Sequence, residues 1–163
     1  MSADASRTRT SHLDKGVGTA LAGVGAAAKR GLGDPVLAEL VMMRASQINA
    51  CAFCLDMHMD IAVRNGETPK RIALLNAWSE AGEVFSERER AALALTEAVT
   101  VLTGGTSQAF GSGGGFVPDE AYGAAAKHFD EAELAHLIGV ITVINSWNRL
   151  MVSRRIEPGG YTP

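Results

Sequence analysis

Cysteine, aromatic side chains and surplus charge are all scarce in this sequence, and each scarcity removes a class of protein. Two cysteines are too few for a disulfide-built scaffold or for a zinc site made of two Cys pairs. Lysine and arginine (15) are outnumbered by aspartate and glutamate (18), leaving a net charge of −3. No basic field is therefore present to draw in nucleic acid. Aromatic residues form only 6% of the chain, which argues against a base-stacking surface as well. No apolar run approaches the roughly 20 residues of a membrane span. The best one, at 137–144, contains Thr142.

Apolar side chains, by contrast, are plentiful. With 163 residues, 47% of them hydrophobic, the chain can bury a core without disulfides or metals, as one domain over 1–163. Arg7, Arg9 and Lys15 before a small-residue run at 16–28 loosely mimic a secretory leader. Yet that run holds only Val17, Leu21 and Val24 as large apolar residues, and Lys29-Arg30 stands where a cleavage site would be. The expected home is a reducing cytoplasm, where a Cys pair serves catalysis or metal binding more often than static crosslinking.

Nearly every segment carries a helical period, so the expected fold class is all-α, a compact multi-helix domain. A first helix is expected at about 13–30 and a second from Pro35 to about Gln47, proline suiting a first helical position. Asn49 is the candidate cap of a third helix over 50–64, which Asn65-Gly66 would end. Thr68-Pro69 opens a fourth reaching Trp78, and Ser86 with Glu89 has capping-box spacing for a fifth over 88–102. Pro118 begins a short sixth. Asp130 with Glu133 opens the last, through Leu150. The Gly- and Ser-rich stretch 104–115 carries no period and lacks the lysine of a phosphate loop; it reads as a flexible surface loop.

The chemistry concentrates at Cys51-Ala52-Phe53-Cys54 and His58. At about 100° per residue, Cys54 and His58 fall about 60° and 20° from Cys51, so two thiols and an imidazole share one narrow arc. The thiolate is the attacking species, and the first turn of a helix favours it through unpaired N–H groups and the dipole. His58, four residues beyond Cys54, can take the thiol proton. The two sulfurs are also close enough in sequence to close and reopen a disulfide. A thiol-dependent redox enzyme is the leading interpretation.

Several competing readings stand beside it. Two thiolates and His58 make three zinc ligands, short of a structural site but enough for a catalytic one with a bound water; His128 and His136, eight apart, form no close pair. Cys51, Cys54, Ile61 and Ala62 could be a plain buried stripe, since free Cys is among the most buried residues, though this leaves His58 unexplained. A thioredoxin-like site needs a preceding strand, and none is visible. Asp60 with Arg64 and the Arg88, Glu89, Arg90 group read as solvated helix faces. Trp78 and Trp147 read as core anchors. No role falls to His12 or His136.

Glu39, eleven residues, Cys51, two, Cys54, three, and His58 together resemble the active-site pattern of the alkylhydroperoxidase D-like branch of the carboxymuconolactone decarboxylase family. Leu40-Val41, Arg44 to Asn49, Asp56-Met57-His58, Ser86 to Leu93, and Ile144 to Leu150 extend the resemblance from about residue 35 to the C-terminus, with the domain core at about 35–152. The resemblance implies an all-helical fold assembled as a homotrimer or homohexamer. It also implies a peroxidase in which Cys54 attacks a hydroperoxide, His58 and Glu39 relay the proton, and Cys51 resolves the sulfenic acid as a disulfide. A dithiol donor such as a lipoyl protein would then reduce the Cys51–Cys54 disulfide, with no other cofactor and no metal. Spacing alone would not have selected Glu39. Phe53 stands where the best-studied peroxidases carry a second histidine, which argues against fast turnover. The stretch from Gly104 looks like an insertion. A carboxymuconolactone decarboxylase-type lyase is the lesser reading, because such members generally lack the Cys pair. A non-catalytic redox sensor or small-molecule-binding oligomer is the rival from another class.

Overall fold

A computed structural model of the chain describes residues 12–102 and 117–159. The Gly-rich stretch 104–115 lies outside the described residues. Seven α-helices occur among them: α1 (Lys15–Leu32), α2 (Pro35–Ile48), α3 (Ala52–Arg64), α4 (Pro69–Leu74), α5 (Glu87–Thr100), α6 (Asp119–Ala126) and α7 (Glu131–Arg154). No strand occurs among the described residues, and the expected all-α class is correct.

Local chemistry sets most helix starts. The side chains of Asp14, Asp34 and Thr68 accept from the backbone N–H groups of Val17, Leu37 and Arg71, capping α1, α2 and α4, with Pro35 and Pro69 at first helical positions. Complete capping boxes open α5 (Ser86 with Glu89) and α7 (Asp130 with Glu133). Two expectations need correction. The fourth helix does not run to Trp78: after Leu74 the chain tightens into a 3-10 stretch, Leu75–Glu80, with a non-helical Ala77. The third helix is capped by Cys51, not Asn49, which ends α2 instead. Ala50 between them takes a positive φ of 51°, a turn that propensity alone does not reveal.

Helix α2 is the centre of the molecule. Leu37, Ala38, Val41, Met42 and Ala45 face a large core shared with α1 and α7, while Leu40 and Met43 face a smaller one with Leu75, Phe85 and Leu93. A helix buried on more than one face has apolar residues nearly all round. Any charge on it must therefore be paired. On α7, Leu137, Val140, Ile141 and Ile144 are fully covered. Helix α1 packs against α7 through small residues, which explains its Ala/Gly composition: a Cβ on Gly31 would lie 2.2 Å from the His136 ring, and one on Gly139 would lie 3.2 Å from Cβ of Ala28. Backbones approach this closely only where side chains are small. No helix among the described residues is long and apolar enough to cross a membrane.

Candidate active site

The turn from α2 into α3 places the two cysteines. Asn49 Nδ2 donates to Oδ1 of both Asn145 and Asn148 on α7, each at 2.9 Å, and Asn148 Nδ2 donates to Ser46 Oγ at 2.9 Å. The Cys51 N–H then donates to the Ser46 carbonyl at 3.0 Å. This polar cluster pins the turn to α7 and fixes where α3 begins. Cys51 is its N-cap, and its sulfur accepts the Cys54 N–H at 3.4 Å. A sulfur so placed feels the positive end of the helix dipole, which favours thiolate over thiol.

Cys51 and Cys54 are joined as a disulfide, with Cα atoms 5.3 Å apart, and both are almost fully buried. His58, one turn beyond Cys54, is also buried. Its Nδ1 lies 2.7 Å from Glu39 Oε2 on α2. A carboxylate only accepts, so Nδ1 carries a proton, and in the neutral imidazole Nε2 is the acceptor. The second Glu39 oxygen accepts from Lys29 Nζ on α1. Burial pushes the Glu39 carboxyl up, but the hydrogen bond and charge of His58, with the charge of Lys29, outweigh it and hold the carboxyl below its usual range. Three helices thus contribute a Lys29–Glu39–His58 chain. Only its lysine end reaches solvent: the side chains are 32%, 2% and 5% exposed in that order.

Cys54 and His58 open onto a cavity of about 520 Å³ between α1, α3 and α7. Its walls are almost wholly apolar, with Phe53, Met57, Ile144 and Trp147 among them, and Lys29 is a polar exception at its edge. Such a chamber takes an apolar organic molecule in preference to a small hydrated one. Phe53 contributes carbon to this wall and no proton-handling group.

The structure brings Glu39, Cys54 and His58 together and sets Cys51 behind Cys54. Sequence reasoning missed Lys29, although Ala22, Gly25, Ala26 and Lys29 recur at i, i+3, i+4 and i+7 and all line the cavity. It also missed the Ser46, Asn49, Asn145, Asn148 cluster. Trp147 lines the cavity as well as packing on the main core. Trp78 anchors the smaller core and donates Nε1–H to Glu97 at 2.6 Å. Arg88 does more than start a helix: it reaches Asp34 at 3.0 Å and Glu133 at 3.1 Å and lies over the Phe129 ring. His136 packs on Gly31, and the His128 carbonyl accepts from Arg88. No group of three or more His, Cys, Asp or Glu placed to hold a metal ion occurs among the described residues.

Residues 16–98 match the carboxymuconolactone decarboxylase family, and the chain belongs to that family. It is 41% identical over 115 residues to YdfG of Bacillus subtilis, an uncharacterized protein, covering 71% of each chain. Over 118 residues it is 35% identical to YnjA of Escherichia coli, also uncharacterized, covering 72% of this chain and 58% of that one. Its fold matches the crystal structure of a protein of unknown function from Agrobacterium tumefaciens, provisionally assigned to antioxidant defence as AhpD. The TM-score is 0.79 at 28% identity, over 95% of this chain and all of the other. The fold is thus the alkylhydroperoxidase D-like one within the family.

Proposed function

We propose that the protein is a thiol-dependent peroxidase that reduces organic hydroperoxides through Cys54 and Cys51. The observation that carries this reading is the shared cavity: Cys54 and His58 line it together, and His58 is held by a buried carboxylate. In the reduced protein, His58 Nε2 takes the Cys54 proton while Nδ1–H stays on Glu39. The thiolate attacks the terminal peroxide oxygen and the O–O bond breaks. The departing alkoxide takes the proton from His58 and leaves as an alcohol, with Cys54 now a sulfenic acid. The Cys51 sulfur attacks Cys54; the S–O bond breaks, hydroxide leaves as water with the Cys51 proton, and the disulfide closes. The structure holds that oxidised state.

A dithiol donor, such as a lipoyl group on a carrier protein, would return two electrons and two protons. This cycle suits a reducing compartment such as the cytoplasm. A trimer or hexamer is the assembly proposed with it, and a monomer by light scattering at micromolar concentration would refute that part. The reaction is tested by adding one equivalent of cumene hydroperoxide to the reduced protein while counting free thiols. Loss of two thiols with formation of one alcohol is expected; unchanged thiols would overturn the proposal. Continued turnover with a supplied dithiol separates an enzyme from a redox sensor that reacts once.

A further inference from the structure

The two cysteines of the disulfide line different cavities. Cys54 lines the large cavity with His58, and Cys51 does not. Cys51 lines a second cavity of about 190 Å³, bounded by Ala50 and by Met151, Val152, Arg155 and Ile156 at the end of α7, and Cys54 does not. Met151 lines both. Arg155 ends α7 in the left-handed region, with φ 52°, and its backbone N–H is occupied by the Met151 and Val152 carbonyls. Arg155 is exposed and lines the second cavity.

We propose that this second cavity is the entry for the thiol reductant, which attacks Cys51 there, apart from the cavity that receives the peroxide. Its purpose rests on the peroxidase reading above, but the attack itself requires only the disulfide. Exchange proceeds by a thiolate striking one sulfur and expelling the other. The attacker approaches in line with the S–S bond, so a sulfur bound for Cys51 comes from the side remote from Cys54. The second cavity is the one that touches Cys51 alone.

The regiochemistry also suits the leaving group. The donor sulfur forms a bond to Cys51, the Cys51–Cys54 bond breaks, and the electron pair goes to Cys54. Cys54 leaves as a thiolate into the cavity it shares with His58 and takes up the proton that the donor thiol released. Attack on Cys54 would instead expel Cys51, which has no imidazole in its cavity. In the second step the donor's other thiolate attacks the donor sulfur of the mixed disulfide. Cys51 leaves, takes a proton from solvent, and the donor departs as its own disulfide with two electrons transferred. A cavity of this size admits the tip of a slender aliphatic dithiol. Arg155 favours the thiolate form and an acidic setting around it.

The test mixes oxidised protein with limiting glutathione, an anionic monothiol whose first attack gives the mixed disulfide, and samples it before a second attack or reclosure by Cys54. Acid quenching, alkylation and fragment-ion mass spectrometry then locate the adduct. Adduct on Cys51 with Cys54 alkylated is expected; adduct on Cys54, on both equally, or on neither would overturn the proposal. Arg155→Glu should slow glutathione attack by about tenfold at low ionic strength, an effect that shrinks as salt is added. An unchanged rate would remove Arg155 and this cavity from the route. Peroxide consumption by the reduced wild type is followed in parallel. If it is absent while glutathione still adds to Cys51, the peroxidase reading fails and the reductant entry stands.

Discussion

Glu39 and His58, nineteen residues apart, meet at 2.7 Å in the buried space between α2 and α3. A carboxylate this deep costs several kcal/mol unless it is paired. Here it has two partners, and the arrangement orients the imidazole toward Cys54's cavity.

His58→Ala should slow peroxide-driven thiol loss by about 10²–10⁴-fold at neutral pH, the usual worth of a general base. The deficit should shrink as pH rises past the thiol pKa, because thiolate then forms unaided. Stopped-flow thiol counting across pH checks this. Parallel profiles for wild type and variant would return His58 to a packing role.

Glu39 should couple folding to acid. Its native carboxyl is held below the ordinary 4.5, so its contribution is complete above that value and is lost as pH falls through the lower native one. Glu39→Gln should therefore melt at a lower temperature than wild type at pH 7, and the gap should narrow in acid. Thermal melts at pH 7 and in that acid window decide it; a gap that widened would contradict the sign.

Lys29→Met leaves Glu39 with His58 as its remaining partner. Thiol oxidation should slow by roughly tenfold, the effect of about 1.4 kcal/mol on a barrier, and Lys29→Arg should restore most of it. Equal impairment by both variants would point to packing in the cavity wall and not to charge.

The thiols should divide their labour. Cys54→Ser should abolish peroxide consumption, since Cys51, the one cysteine that remains, does not line the cavity of His58. Cys51→Ser should still react once, leaving Cys54 as a sulfenic acid that trapping with dimedone detects and excess peroxide over-oxidises. The reverse assignment would follow if dimedone labelled Cys51 in the Cys54→Ser protein.

Asn148→Ala removes a buried amide that joins α7 to Ser46 and Asn49. Two polar groups lose a partner, so a loss of about 1–3 kcal/mol is expected, with a Tm lower by about 2–4 °C per kcal/mol for a chain of this size. Thermal melts measure it. Reactivity of the disulfide should change too, because the same amide positions the Cys51 turn.

Some of this was legible in the sequence. Helix starts were, because a cap and its partner lie three residues apart: Ser86 with Glu89 and Asp130 with Glu133 need no tertiary contact. The common arc of Cys51, Cys54 and His58 was legible for the same reason, being a property of helical pitch. Asn49 misled because its side chain is claimed by Asn145 and Asn148, about a hundred residues away. A long-range bond there outcompetes a local cap, and Cys51 takes the position.

The sequence by itself, then, determined the helical class and the face on which the thiols and His58 lie, since both depend on neighbours within one turn. Only the tertiary structure decided that α2 would be buried on two sides, which forces the Glu39 carboxylate onto His58 and Lys29. It alone also set Trp147 and Phe53 in one cavity wall and turned Cys51 toward another cavity. Those outcomes depend on how three separate helices pack, and packing sums many weak contacts between residues far apart in the chain.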